Sequence, residues 1–271
     1  MNAHERNNGT STETSSRFIF REVRTAGELL DMLKLRYRVY RASRISGFCP
    51  INSEQIDVDE YDQCARHFGL YETSEFPDKL VGSIRIVSED EDRHVPKLQS
   101  LAACSQLVGA AIRKRPETPL PTCNYSATTG VATRLYSDWR ATGEHVVDGG
   151  RLCLEREHRN LRLAVFVAEM TFALGFFGDY DVDRALVTCC KSHERFYTSY
   201  GYYHIPGIGT EFWDKPQVQA VALMATPSDI RQAHRGRLIA LASQFDYYGY
   251  VILEAHLAGG NESRTRLARV A

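Results

Sequence analysis

The sequence has no CxxC pair among its seven cysteines and no cysteine–histidine spacing typical of a zinc site. Without such motifs, the thiols are expected to be reduced, as in a cytoplasmic protein, and not paired in structural disulfides. The polar N-terminal stretch has no secretory signal. The most apolar run, residues 163–177, carries Glu169 and is too short to span a bilayer unaided. The sequence therefore predicts a soluble cytoplasmic protein without a transmembrane segment.

Neither sign of charge is in excess. Lys and Arg number 33, Asp and Glu number 34, and no dense basic run occurs. Nucleic-acid-binding domains usually carry a basic patch, so this balance gives no reason to expect a nucleic-acid partner. No internal repeat is evident, and 271 residues are enough for one large domain.

Hydrophobic periodicity predicts a chain in which strands and helices alternate. Residues 17–225 are expected to form one α/β domain with a helical insertion at 96–143. Residues 1–16 are expected to be a disordered tail, and 226–271 a helical C-terminal extension. This order of elements predicts a mixed sheet with helices on both faces.

Three arginines stand in apolar surroundings. Arg36 lies in the apolar stripe of a predicted helix, Arg85 lies within the predicted strand LVGSIRIVS, and Arg151 precedes a hydrophobic run. A buried guanidinium is unfavourable unless carboxylates or carbonyl groups satisfy it. We therefore expect one ionic cluster that ties a helix, an acidic loop and two strands together, with partners among Asp57, Asp59, Asp62 and Asp148.

Other interpretations of these residues stay open at this point. An arginine at the edge of an apolar stripe often extends its charged end into solvent. The spacing of Asp57, Asp59 and Asp62 suits a divalent cation, but the glycine and distal glutamate of an EF-hand loop are missing. The acidic stretch is also compatible with a solvated turn. We expect no metal site, and the cluster alone indicates structure as readily as catalysis.

Four motifs occur together: LRYRVY at 35–40, DVDEYD at 57–62, LVGSIRIV at 80–87 and DGGRLCL at 148–154. This combination resembles the acyl-homoserine-lactone synthases and the long-chain N-acyl amino acid synthases, two branches of the GNAT acyltransferase superfamily. The resemblance implies an α/β fold with a GNAT-like mixed, mostly antiparallel sheet and helices on both faces. It also implies acyltransferase activity.

Six residues match the families' motifs and are assigned by the resemblance to substrate binding and to the ionic cluster: Arg36, Tyr40, Asp59, Asp62, Arg85 and Arg151. One motif departs from the pattern. Where the families have Glu-x-Ser/Thr-Arg, this chain has Asp148, Gly149 and Gly150 before the arginine. Aspartate is one methylene shorter, so a base at this position reaches less far or acts through a water. Asp148 and Glu144 are therefore both candidate bases.

A tyrosine and a glycine pair supply two further candidates. In many GNAT enzymes a tyrosine four residues before a Gly-aromatic pair protonates the departing thiolate, and Tyr197 stands four residues before Gly201. A core tyrosine on an amphipathic helix is the alternative interpretation. Gly149 and Gly150 interrupt a predicted strand, which indicates a bulge whose freed N–H groups would stabilise an oxyanion.

The residues that open the long predicted helix bear on the acyl donor. CoA-using GNAT enzymes have an (Arg/Gln)-x-x-Gly-x-(Gly/Ala) turn whose N–H groups cradle the pyrophosphate. Here the run is RNLRLA, with Arg162 in place of the first glycine. Phosphopantetheine on an acyl carrier protein has one phosphodiester and no pyrophosphate, which suits a looser site with Arg159 and Arg162. An acyl carrier protein is the expected donor and partner, with acyl-CoA as the alternative.

The resemblance implies an N-acyltransferase that moves a long-chain fatty acyl group from acyl carrier protein to the amine of an amino acid, without a bound cofactor. Three alternatives stay open. They are an acyl-homoserine-lactone synthase that uses S-adenosylmethionine, an acyl-CoA-dependent N-acyltransferase, and a non-catalytic GNAT-like protein that binds acyl groups or carrier protein. The insertion at 96–143 and the missing glutamate favour the amino acid synthase.

Overall fold

The structure, a computed structural model, describes most of the chain: residues 15–43, 47, 49–73, 77–88, 95–125, 129–213, 218–256 and 266–267. The tail expected at 1–16 lies outside these residues except for Ser15 and Ser16, which begin the first strand. No helix within the described ranges is long and apolar enough to cross a membrane.

One sheet contains all the described strands: β1 Ser15–Glu22, β2 Ala65–Glu72, β3 Lys79–Val87, β4 Val146–Leu154, β5 Arg184–Cys190, β6 Tyr203–His204, β7 Glu211–Trp213, β8 Val218–Ala225, β9 Tyr250–His256 and β10 Arg266–Leu267. Their order is β10-β9-β1-β2-β3-β4-β5-β8-β6, and β7 also pairs with β8. All neighbours are antiparallel except β4 and β5, which run parallel. The expected mixed, mostly antiparallel sheet is confirmed.

Helices cover both faces of this sheet, as expected: α1 Ala26–Arg41, α2 Val95–Ala102, α3 Gln106–Arg113, α4 Thr129–Ala141, α5 Leu161–Phe177, α6 Glu194–Tyr200 and α7 Gln232–Tyr248. On one face, α5 and α7 pack over a core that includes Phe166 and Leu241. On the other face lie α1 to α3, around Met32 and Leu98, and α4, around Tyr136. The all-round apolar composition of α5 follows from its place between the sheet and α7.

The start of α1 is set by local chemistry. The Thr25 hydroxyl accepts a hydrogen bond from the Glu28 N–H at 3.1 Å, and the Glu28 carboxylate accepts one from the Thr25 N–H at 3.3 Å. This reciprocal capping box satisfies two N–H groups that a helix start leaves unpaired. The apolar stripe that includes Leu29 and Met32 is buried, and Arg36 is buried with it.

The strands β4 and β5 separate soon after they meet. They pair only where Val146–Asp148 lies beside Arg184–Leu186, although β4 continues to Leu154 and β5 to Cys190. Beyond Asp148, the backbone groups of β4 that face β5 are therefore left out of the strand ladder. A gap opens in the middle of the sheet at this point.

The C-terminal segment differs from its expected helical form. It contains α7, but β9 follows and pairs with β1 along the edge of the sheet, with Phe18 opposite Leu253. The α7 helix ends at Gly249, which has a left-handed φ of +74°. The short run YVIL then becomes a strand because β1, more than 200 residues away in sequence, presents a free edge.

We expect two glycine-to-alanine changes to have opposite effects on stability. Gly201 closes α6 with φ +118°, and a Cβ there would lie 2.0 Å from the Asp229 carbonyl oxygen. Gly201→Ala should lower the free energy of unfolding by about 2 kcal/mol or more. Gly236 lies in α7 with nothing within 4 Å of an added Cβ. Gly236→Ala should raise stability by about 0.5–1 kcal/mol in urea unfolding. Equal effects of the two changes would contradict this structure.

Candidate active site

A buried ionic cluster lies between α1 and the sheet. Arg36, only 1% exposed, donates to Asp57 at 2.8 Å and to Asp62 at 2.7 Å. Arg85 donates to Asp59 at 2.6 Å and to the same Asp62 oxygen at 2.7 Å. The side chain of Arg36 therefore does not extend into solvent. The planar guanidinium group of Arg36 donates to two carboxylates, and such pairing is what a buried guanidinium needs.

Arg151 joins the cluster from β4. Its Nη2 donates to Asp59 at 2.7 Å, its Nη1 lies 3.6 Å from Asp57, and its guanidinium lies over the ring of Tyr40 at 5.6 Å. The backbone of Arg151 has φ +57°, which is uncommon for a residue with a Cβ. The cluster thus contains all three arginines and three of the four aspartates that the sequence analysis predicted as their partners.

The bulge in β4 explains this backbone conformation. Ser83 of β3 is opposite Cys153, and Arg85 is opposite Gly150, so β4 has one extra residue between these pairs. The sequence placed the bulge at the glycine pair, whereas it lies just beyond, at Arg151 and Leu152. An extra residue turns the following side chains and accentuates the local twist.

The cluster contains three arginines and three aspartates, and the pKa values of Asp59 and Asp62 are lowered. Burial acts to raise the pKa of Asp59, but the charge of Arg85, with that of Arg151, outweighs burial and holds the pKa at about 2. The pKa of Asp62 is held well below its usual range, because Arg36 and Arg85 outweigh its burial. These aspartates are therefore anchors and not proton acceptors at neutral pH.

The gap between β4 and β5 holds a cavity of about 760 Å³. On the side of α5 it is lined by small or apolar side chains: Ala164, Val165, Ala168, Thr171, Phe172 and Gly175. On the side of α1 and the acidic loop the lining is more polar: Asp59, Tyr61, Arg85, Asn124, Asp148 and Thr188. The cavity therefore places an apolar half and a polar half on opposite faces of the sheet.

Asp148 lies where β4 and β5 part, opposite Leu186. Its carboxylate accepts a 2.6 Å hydrogen bond from the Thr122 N–H, and the side chain is 3% exposed. Burial raises the pKa of Asp148 to about 6, against the opposing effects of Thr122 and of the Arg85 charge. A carboxylate with this pKa is ionised at neutral pH and still accepts a proton readily, which suits a general base. Asp148 is hydrogen-bonded to Thr122 and is not a partner of the ionic cluster.

Glu144, the other candidate base, does not line the cavity. It precedes β4, and its carboxylate forms an ion pair with Arg184, the first residue of β5. Because β4 and β5 start side by side, a residue just before β4 meets the residue that opens β5 and not the gap further along. The structure therefore removes Glu144 from the candidate bases.

Tyr197 lies on α6 and lines the same cavity as Asp148. Its ring packs against Phe172 at 6.0 Å and Tyr202 at 5.7 Å between centroids. Burial raises the pKa of Tyr197 further above its usual value, and its hydroxyl is protonated at neutral pH, as in an ordinary tyrosine. Tyr197 therefore remains the candidate proton donor of the cavity.

Arg159 and Arg162 lie outside the cavity lining. Arg159 donates to the carbonyl oxygens of Leu154 at 3.2 Å and Val39 at 3.4 Å, so it links the end of β4 to α1. Arg162 is exposed in the first turn of α5. The helix start is capped by Asn160, whose side chain accepts from the Leu163 N–H at 3.0 Å. That N–H group is therefore already used within the chain.

The hydrogen-bond partner of Asp148, Thr122, was not predicted, and neither was Thr188, which lines the polar half. Thr122 lies in a short 3₁₀ helix, Pro121–Asn124, and its hydroxyl is 2.9 Å from that of Thr188. The sequence shows this stretch as a proline-rich break between helices, which carries no sign that its backbone reaches β4 and β5. Only the fold brings it against Asp148.

One group of possible metal ligands occurs among the described residues, namely Glu155, Glu157 and His158, whose ligand atoms lie within 4.8 Å of one another. Glu155 is paired with Arg38 and Lys79, and His158 lies 3.1 Å from Glu72. Since Glu155 is already held by two cationic side chains, we assign no metal there.

We expect Asp62→Asn to lower the free energy of unfolding by about 3–5 kcal/mol, because it leaves Arg36 and Arg85 buried with too little negative charge. Asp31→Asn, at an exposed position of α1, is the matched control and should change stability by less than about 0.5 kcal/mol. Urea unfolding of both variants tests this. If both variants lost the same free energy of unfolding, the buried cluster would contribute no more to stability than an exposed aspartate does.

Comparisons with known proteins agree with this fold. The acetyltransferase (GNAT) domain family matches residues 35–169, about half of the chain. No curated protein matches the sequence significantly. Among solved structures, FeeM, an N-acyl amino acid synthase from uncultured soil microbes, is 15% identical with a TM-score of 0.50, over 79% of this chain and 92% of FeeM.

Two further solved structures are similar at lower scores. BjaI, a CoA-dependent acyl-homoserine lactone synthase, is 14% identical with a TM-score of 0.49, over 83% of this chain and 90% of BjaI. An acyl-CoA N-acyltransferase from Pseudomonas aeruginosa is 14% identical with a TM-score of 0.44, over 77% of this chain and 98% of that protein. The domain match shows that this chain belongs to the acetyltransferase (GNAT) domain family and is an acyltransferase, and FeeM shares its fold.

Proposed function

We infer that this acyltransferase moves a long-chain fatty acyl group from an acyl carrier protein to the amine of an amino acid. The observation that carries the proposal is Asp148, a buried carboxylate with its pKa raised to about 6 in a cavity that joins a polar and an apolar half. FeeM, whose fold this chain shares, is described as an N-acyl amino acid synthase.

The reaction needs an amine that has lost a proton. In the proposed mechanism the acceptor enters the polar half of the cavity, and Asp148 takes a proton from its ammonium group. The nitrogen then attacks the thioester carbonyl, and a C–N bond forms while the C–S bond breaks. The hydrogen bond from the Thr122 N–H keeps the Asp148 carboxylate oriented at the branch point.

Charge develops on the carbonyl oxygen as the tetrahedral intermediate forms. The β4 backbone beyond Asp148 has left its pairing with β5, so its N–H groups on that side are available as oxyanion donors. The departing thiolate takes its proton from the Tyr197 hydroxyl, which lines the same cavity and, like an ordinary tyrosine, is protonated at neutral pH. As the amide forms, the nitrogen loses its second proton, which restores the Tyr197 hydroxyl, and Asp148 releases its proton to solvent. The acyl chain lies in the apolar half, against α5.

The start of α5 favours a carrier protein over CoA. Pyrophosphate binding at a helix start depends on several free N–H groups. In this chain the Leu163 N–H is held by Asn160, and the bulky, exposed Arg162 stands close by. A single phosphodiester, with an acidic carrier surface around it, is better matched to an exposed guanidinium than to a backbone cradle.

We expect Asp148→Asn to lower kcat/KM by about 100-fold or more, since general base catalysis commonly contributes that much. In the wild type, kcat/KM should rise with pH through about 6 and then level off, because the ionised form of Asp148 is the active one. Glu144→Gln should keep most of the activity, because Glu144 faces Arg184 and not the cavity. A wild-type profile without a change near pH 6 would contradict the role of Asp148.

The donor and the acceptor are tested together. Purified protein is incubated with palmitoyl–acyl carrier protein or palmitoyl-CoA, a mixture of amino acids and S-adenosylmethionine, and products are read by mass spectrometry. We expect an N-palmitoyl amino acid with the carrier-protein donor. Formation of an acyl-homoserine lactone would show that S-adenosylmethionine, and not an amino acid, is the acceptor. Turnover with palmitoyl-CoA alone would show that CoA, and not a carrier protein, carries the acyl group. Absence of any acylated product with both donors would contradict the proposal.

A further inference from the structure

Glu169 is a charged residue in the middle of the apolar helix α5, and it is only 4% exposed. It does not line the cavity. One of its carboxylate oxygens accepts a 2.9 Å hydrogen bond from the Tyr200 hydroxyl, and the other accepts one from Arg237 Nε at 2.8 Å. A buried carboxylate is costly unless it is paired. The burial of Glu169 between α5, α6 and α7 therefore indicates that this residue has a specific role.

The helix α6 depends on such outside contacts. It has seven residues, and a helix of this length is not stable by itself in water. Besides the bond to Glu169, the Tyr200 ring stacks on His234 of α7 at 4.1 Å, and its carbonyl oxygen accepts from the Arg231 N–H at 3.0 Å. Tyr200 thus connects α6 to both α5 and α7.

The proposed proton donor lies one helical turn before Tyr200. Tyr197 and Tyr200 are three residues apart on α6 and therefore lie on neighbouring positions of one face. Phe172 stands one turn after Glu169 on α5, and its ring packs against Tyr200 at 5.1 Å and Tyr197 at 6.0 Å. Displacement of Tyr200 would therefore also move the hydroxyl of Tyr197 in the cavity.

We propose that Glu169 and Tyr200 are positioning residues for Tyr197, and that their hydrogen bond holds the Tyr197 hydroxyl where it can protonate the departing thiolate. Arg237 completes the arrangement by neutralising Glu169 from α7. This inference rests on the proposed function, because it assigns the geometry of one step in that reaction.

Dependence on the leaving group separates positioning from general stability. An acyl-pantetheine thioester releases a basic alkyl thiolate, which needs a proton as the C–S bond breaks. An acyl nitrothiophenyl ester releases a weakly basic aryl thiolate, which needs no such help. Loss of a correctly placed acid therefore lowers the rate of acyl transfer from the first donor but not from the second. A general loss of folded enzyme lowers both rates equally.

The experiment compares single-turnover rates with palmitoyl-pantetheine and palmitoyl nitrothiophenyl thioesters. Tyr197→Phe should slow the first donor by about 100-fold and the second little. Tyr200→Phe keeps the ring but removes the hydroxyl, and it should slow the first donor by about tenfold with little change for the second. Glu169→Gln should show the same selectivity. Tyr247→Phe, at a position 80% exposed on α7, is the matched control and should change neither rate.

A double variant tests whether Tyr200 acts through Tyr197. Tyr197→Phe with Tyr200→Phe should be no slower than Tyr197→Phe alone, because an acid that is absent can no longer be misplaced. If Tyr197→Phe shows the selectivity but neither Tyr200→Phe nor Glu169→Gln does, the positioning inference fails and the proposed function stands. If Tyr197→Phe itself slows both donors equally, the assigned acid is wrong and the positioning inference fails with it.

Discussion

The buried ionic cluster is the interaction on which the rest of the site depends. Three arginines from α1, β3 and β4 meet three aspartates from one loop, and the pairing is close enough to offset the cost of burying four of these charges and half-burying Arg151 and Asp59. The three arginines come from three different elements, and the three aspartates come from one loop. The cluster therefore fixes the acidic loop, the end of α1 and the bulge of β4 relative to one another, and with them one wall of the cavity.

Two aspartates near this cavity have different roles because their surroundings shift their pKa values in opposite directions. Asp59 lies among guanidinium groups that hold its pKa at about 2, so it stays charged and serves as an anchor. Asp148 is buried with a backbone N–H as its close partner, and burial raises its pKa to about 6. Pairs of carboxyl groups whose pKa values are separated in this way are typical of catalytic sites. Only the second is poised to exchange protons near neutral pH.

The separation of β4 and β5 opens the cavity that forms the candidate active site. Elsewhere in the described sheet, neighbouring strands run antiparallel, and the one parallel pair ends after three residues. In the proposed mechanism the gap admits the substrate between two strands and supplies backbone groups for the oxyanion, with Asp148 at the point where the strands part. The α6 helix then supplies Tyr197 from the far side, held through Tyr200 by a carboxylate of α5.

The sequence by itself determined the features that depend on local pattern. The helix of α1, most central strands and the pairing of arginines in apolar settings with nearby aspartates all follow from periodicity and from the cost of an unpaired buried charge. Tertiary structure decided what depends on distant partners. The strand β9 forms because β1 offers an edge, Glu144 meets Arg184 because two strands start together, and Thr122 reaches Asp148 because the insertion folds over the sheet. No local pattern encodes such contacts, since each joins residues that are neighbours only after the chain has folded.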